Sequence, residues 1–193
     1  MNARWITSHF GQLSSDERSR PVKVVGIYAD VPARVQATRL FSNVARQCAP
    51  VCEFCSSWWS FDVLADSDLR KTAAQAAGAA DMIWCSTDAC EALPSVVRAW
   101  MSEWCPLKQG TESALVALLR CPFSYPIKQS PAAASLTELA RTMGMELFME
   151  TFDGTIQQPL GVRANPLMRT TRPAPWLHGC SHPSQPRWWG INE

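Results

Sequence analysis

The sequence predicts a three-layer α/β/α sandwich built on a five-stranded parallel sheet. Two observations carry that expectation. Apolar runs of strand length alternate with helical segments over residues 21–152, and the central runs DMIWCS and ALVALL are almost continuously apolar. A half-exposed strand alternates apolar and polar residues, whereas a strand covered by helices on both faces does not. A chain of 193 residues, 47% hydrophobic and 18% charged, also has enough material for one domain with a sizeable core and an appendage.

VKVVGIY (Val22–Tyr28) is a β-branched run and reads as the first strand. Pro32 sits near the first position of the helix ARVQATRLFSNVARQ, where proline is well tolerated. Pro50 closes the following turn, and VCEFCSSWW (Val51–Trp59) reads as the second strand. An alanine-rich helix follows, with Asp66 or Ser67 as its expected N-cap. Asp81–Ser86 is the third strand, Leu93–Trp104 the third helix and Ala114–Leu119 the fourth strand. SLTELARTMGM gives the fourth helix and Met145–Phe152 the fifth strand.

Right-handed crossovers make the strand order 2-1-3-4-5, the flavodoxin-like arrangement, the natural one for this pattern. Ligands of such sheets sit beyond the carboxyl ends of the first and third strands, where the strand order reverses. Here that rim comprises residues 29–33 and 87–92, with 120–126 beside them. Tyr28, Asp30, Ser86, Thr87, Asp88 and Cys90 are therefore the expected cofactor-binding positions. Cys90 also precedes a helix whose N-terminal dipole is expected to lower a nearby thiol pKa. The adjacent Trp58 and Trp59 point to opposite faces of a strand and read as core or rim packing.

Outside the domain, residues 1–20 form a polar lead-in without the apolar run of a secretory signal. Residues 153–193 hold six of the fourteen prolines and three tryptophans, which reads as an extended C-terminal arm that packs on the domain or on a partner. A net charge of +1 supplies no long-range field for nucleic acid or an anionic membrane, so neither is an expected partner. No run reaches the roughly 20 apolar residues that span a bilayer. The expected compartment is the cytoplasm, where the eight cysteines would stay reduced unless they bind metal.

Cys48, Cys52 and Cys55 have the spacing C-x3-C-x2-C, which resembles the cluster-binding signature of radical S-adenosylmethionine enzymes. Cys52 and Cys55 fall in the predicted second strand an odd number of residues apart, which sends their thiols to opposite faces and speaks for a cysteine-rich strand. In the arm, His178, Cys180 and His182 alternate in HGCSH and give a second, less favoured reading as zinc ligands.

Three resemblances follow from longer stretches. ADMIWCSTDACEALPSVVRAWMSEW followed by ALVALL resembles NAD(P)H-dependent FMN reductases through Leu93, Pro94, Ser95, Val97, Arg98 and Trp104, which implies FMN as a possible cofactor. In those enzymes hydroxyl groups and free backbone N–H donors hold the phosphate. Here YADVPA sets the Asp30 carboxylate against it and Pro32 removes a donor. VVGIYADVPARVQATRLF is similar to the start of a response-regulator receiver domain through Asp30, Pro32 and Arg34. The receiver's phosphoacceptor position, at the end of the third strand, then falls on Cys85 or Ser86, with Asp88 beyond it. The segments Trp58, Trp59, Phe61, Asp62 and Trp189, Gly190, Ile191, Asn192 resemble an uncharacterised bacterial family, which implies no activity.

The expected function is that of a non-catalytic flavodoxin-like binding or regulatory protein. It would engage a protein partner, or itself, through its switch-point loops and arm. The alternative is a flavin-dependent oxidoreductase with an altered phosphate loop.

Overall fold

A computed structural model of the chain describes residues 20–49, 52–108, 113–122 and 125–153. The lead-in up to residue 19 and the arm from residue 154, with His178, Cys180 and His182, lie outside the described residues. The element order is β1 (Val22–Tyr28), α1 (Val31–Cys48), β2 (Phe54–Ser60), α2 (Ser67–Gly78), β3 (Met82–Asp88), α3 (Ser95–Trp104), β4 (Ala114–Arg120), α4 (Pro131–Met143) and β5 (Glu146–Phe152). All neighbouring strands pair in parallel, in the order β2-β1-β3-β4-β5. The flavodoxin-like α/β fold is thus the observed one.

The alternation of side chains divides the core into two layers. Val25, Ile27, Ile83, Cys85, Leu115, Ala117 and Leu119 pack with Ala73, Ala77, Val97, Trp100, Trp104, Leu136 and Ala140, the inner faces of α2, α3 and α4. On the opposite face Val24, Met82, Trp84, Val116 and Leu118 pack with Ala37, Phe41, Val44 and Cys48 of α1. Among the described residues α1 is the only helix on that second face.

Its centre is aromatic. Gly26 pairs with Trp58 on one side and with Trp84 on the other, so the three residues lie in one row across β2, β1 and β3. With no side chain on Gly26, the two indoles meet edge to face above it with centroids 6.1 Å apart. Phe41 seals the row from α1, 5.8 Å from each indole and 5.7 Å from Phe54. Such edge-to-face contacts add roughly 0.5–1.5 kcal/mol each beyond simple burial. The indole N–H groups of Trp84, Trp100 and Trp104 are buried with no hydrogen-bond partner among the described residues, so packing alone holds these rings.

Caps define the helix ends. Asp30 accepts from the Ala33 N–H at 2.8 Å and starts α1, two residues ahead of the expected start. Asp66 caps α2 through the N–H groups of Asp68 and Leu69. Ser130 caps α4, which ends at Gly144 with a left-handed φ of 64° that glycine adopts without strain. The buried Lys108 ammonium donates to the Ala80 carbonyl just beyond the C-terminus of α2, where a positive charge suits the helix dipole. Desolvation nevertheless lowers its pKa.

Four strands have boundaries that differ from expectation, and two of the shifts exceed one residue. β2 begins at Phe54, so Cys52 precedes it, and β3 runs on through Thr87 and Asp88. No helix among the described residues is long and apolar enough to cross a membrane.

A Cβ added at Gly26 would lie 2.1 Å from Cε3 of Trp58, whose ring is held by Phe41 and Trp84 and has nowhere to retreat. Gly26→Ala should therefore lower the unfolding free energy by about 1–3 kcal/mol, the usual range for overpacking. Urea titration of the two proteins checks this, and an unchanged midpoint contradicts the packing described.

Candidate functional site

At the carboxyl ends of the strands, three chain segments are tied together by one arginine. Arg120, the last residue of β4, donates from Nη1 to Oδ2 of Asp30 at 2.6 Å and from Nε to Oδ2 of Asp88 at 3.2 Å. Asp30 follows β1 and caps α1, while Asp88 is the last residue of β3, in register with Arg120. The sheet order alone creates this meeting, because β1, β3 and β4 are consecutive in space. The guanidinium occupies the gap between two carboxylates, and the Ala33 N–H at the head of α1 is already taken by Asp30.

Partial burial pushes the Asp30 carboxyl up, but the Ala33 N–H and the Arg120 guanidinium outweigh it and hold the group below its usual value. Asp88 uses its other oxygen to accept from the Cys90 N–H at 2.8 Å. The Cys90 side chain is exposed. Its thiol is pushed up by desolvation first, then by the Asp88 carboxylate, with Cys121 and Glu91 adding to it. The expected lowering by the dipole of the next helix is therefore corrected. That helix starts five residues on, at Ser95, with Pro94 as its cap, while desolvation first and then the nearby Asp88 charge act on the thiol.

The other expected rim residues divide into structural roles. Ser86 is buried and donates to the Ala33 carbonyl at 3.0 Å, clamping the first turn of α1 to β3. Thr87 is buried within β3. Tyr28 is half-buried, with the Arg34 guanidinium 5.7 Å above its ring, a cation–π contact. Asp30 and Asp88 thus meet in the arginine bridge, Cys90 flanks it, and Ser86, Thr87 and Tyr28 support it.

Sequence reasoning passed over Arg120 itself, although a lone charge closing the apolar run ALVALLR needs counter-charges wherever it emerges. It also passed over Ser130, whose hydroxyl donates to the Ala89 carbonyl at 2.6 Å and fixes the loop after β3. Cys121 lies beside these groups with its thiol 3.4 Å from the Tyr125 carbonyl.

The expected end of the third strand is corrected too. β3 ends at Asp88, and not at Cys85 or Ser86, because its pairing with β4 continues to Arg120. Cys85 is fully buried, its thiol pushed up to about 12. In the cysteine run, Cys48 closes α1 and accepts the Cys52 N–H through its carbonyl at 3.0 Å. Cys52 packs with Phe54 and Trp58 in one layer, whereas Trp59 packs in the other. Burial first, and then Cys48, push the Cys52 thiol up to about 11. Among the described residues no three His, Cys, Asp or Glu side chains gather closely enough to hold a metal ion.

Two measurements test this corner. The folded-state pKa of Asp30 is depressed, so its stabilisation is present above the unfolded value near 3.8 and fades as pH falls through the folded one. Asp30→Asn should cost about 1 kcal/mol in urea titrations near neutral pH, and the difference should vanish at about pH 2. A loss equal at both pH values would deny the carboxylate this role. For the raised thiol, Cys90 should be the first cysteine among the described residues to react with iodoacetamide in native protein, slowly near about pH 7 and much faster near about pH 9.5. Peptide mass spectrometry would show a flat rate instead if the thiol were activated.

Comparison of the chain with protein-family models, with curated proteins and with solved structures returns no match.

Proposed function

We propose that this chain is a non-catalytic binding or regulatory protein that engages a protein partner through its switch-point loops and its C-terminal arm. The observation that carries this reading is the Asp30–Arg120–Asp88 bridge. In a flavodoxin-like sheet a phosphate-bearing cofactor would lodge at this corner, against the head of the first helix. Here a carboxylate already caps that helix and a second stands beside it, so an incoming phosphate meets like charge.

The corner resembles a receiver-type acidic site in which the chain's own guanidinium stands where a cation would be held. Such an arrangement holds the three loops in place and leaves no free carboxylate pair for a metal. The bridge is also half open to solvent. The Arg120 and Asp30 side chains retain 26% and 40% of their exposure, enough for a partner to read the corner as a charged epitope.

A fluorescence titration with FMN and an intact-mass measurement after incubation with acetyl phosphate and Mg²⁺ test the non-catalytic part. Neither saturable quenching nor an acid-labile adduct on Asp88 is expected. Saturable flavin quenching would revive the oxidoreductase alternative, and an adduct would make the corner a phosphoacceptor. For the partner, the full chain should retain by affinity capture a protein that both Arg120→Glu and deletion of residues 176–193 lose. Equal capture by all three chains would overturn the assignment to loops and arm.

A further inference from the structure

Two free cysteines meet where α1 ends and the chain turns toward β2. Cys48 closes α1, and its carbonyl accepts the Cys52 N–H at 3.0 Å, a bond with the spacing of one α-helical turn. Residues so spaced lie about 6 Å apart at Cα, within the roughly 4.4–6.8 Å that a disulfide spans. Both belong to the layer formed by Phe41, Val44, Phe54 and Trp58, and one thiol donates a hydrogen bond to the other. Access to the two is unequal. Cys48 is fully buried, whereas Cys52 is part-exposed. Cys55, three residues on, is disulfide-bonded. The reduced state expected of all eight cysteines does not hold there, and Cys55 offers the pair no competing thiol.

We propose that Cys48 and Cys52 are a redox pair, a dithiol that a low-molecular-weight disulfide such as glutathione disulfide converts to an internal disulfide. The unequal access assigns the roles. The Cys52 thiolate attacks one sulfur of the oxidant, forms a mixed disulfide with it and releases the first small thiol. Cys48 then loses its proton and attacks the Cys52 sulfur. The internal S–S bond forms as the mixed one breaks, and the second small thiol departs. The protein gives up two electrons and two protons, and the oxidant becomes two thiols. The surroundings suit this exchange better than a metal. Burial keeps both thiols in the neutral form, and their disulfide is neutral as well, whereas a thiolate site brings charge into an apolar layer. The new bond ties the last residue of α1 to the approach of β2, at the amino ends of the strands. The arginine bridge lies at the carboxyl ends, so the pair stands independently of the function proposed above.

The decisive experiment is differential alkylation of the full chain before and after incubation with glutathione disulfide at about pH 9, where thiolates form readily. After an acid quench, free thiols take light iodoacetamide in denaturant. Disulfides are then reduced, and the thiols they release take the heavy reagent. Peptide mass spectrometry should show Cys48 and Cys52 moving together from light to heavy label, with Cys55 heavy throughout. An unreduced digest should show no glutathione on either residue of the pair. In Cys48→Ser, Cys52 should instead stop at the mixed disulfide and retain glutathione, because nothing resolves it. In Cys52→Ser, Cys48 should keep its light label. A wild-type chain in which Cys48 stays light, or in which Cys52 retains glutathione, overturns the proposal. So does the appearance of light label on Cys55, which would mean that Cys52 exchanges with that disulfide. The wild-type labelling decides by itself if a serine variant fails to fold.

Discussion

The fold depends on a missing side chain. Gly26 lets Trp58 and Trp84 meet across the strand between them, and Phe41 locks the pair from above. A row of this kind fixes more than local packing. It sets the register of β1 against both neighbours, since a slip of one residue would turn each tryptophan to the other face. It also fixes α1, because Phe41 reaches the row from the middle of that helix. The start of α1 at Asp30 follows, and so does the point where β3 delivers Asp88.

The corner at the strand ends is therefore downstream of the aromatic row. Two acidic residues and one arginine arrive from three different strands, and only a correct register brings them within hydrogen-bond distance. The result is a neutralising clamp with a surplus of one negative charge, placed where this topology offers its binding cleft. The corner is a half-exposed pattern of charge on loops that Ser86 and Ser130 hold in place, and it is this pattern that a partner would read under the function proposed above.

Much of this architecture was legible in the sequence. The runs from Val22, Met82 and Ala114 are apolar because both of their faces are covered, and their alternation with helices joined by right-handed crossovers pointed to a parallel sheet of this order. The strand ends were less legible. Thr87 and Asp88 look like loop residues, and they belong to β3 only because Thr87 and Asp88 pair with Leu119 and Arg120, far away in sequence. The bridge was invisible for the same reason, since no local signal tells Arg120 that Asp30 lies within reach. Cys90 shows the complementary failure. A general rule about helix dipoles yielded to desolvation first and then to the neighbouring Asp88 carboxylate, which carries a whole charge.

The strand order has a further consequence for a chain that emerges from its N-terminus. β2 and β1 can pair as soon as residue 60 is available, with Phe41 already poised over Trp58. The inner edge of β1 and the open side of the Trp58 ring then wait for β3, which must dock alongside β1 before the aromatic row closes. During that interval the nascent domain shows a tryptophan and an unpaired strand to its surroundings, a state that aggregates readily at high concentration. Trp84 closes the row, but its own strand then shows an open edge until β4 is made, so the exposure passes outward strand by strand through the order of the sheet.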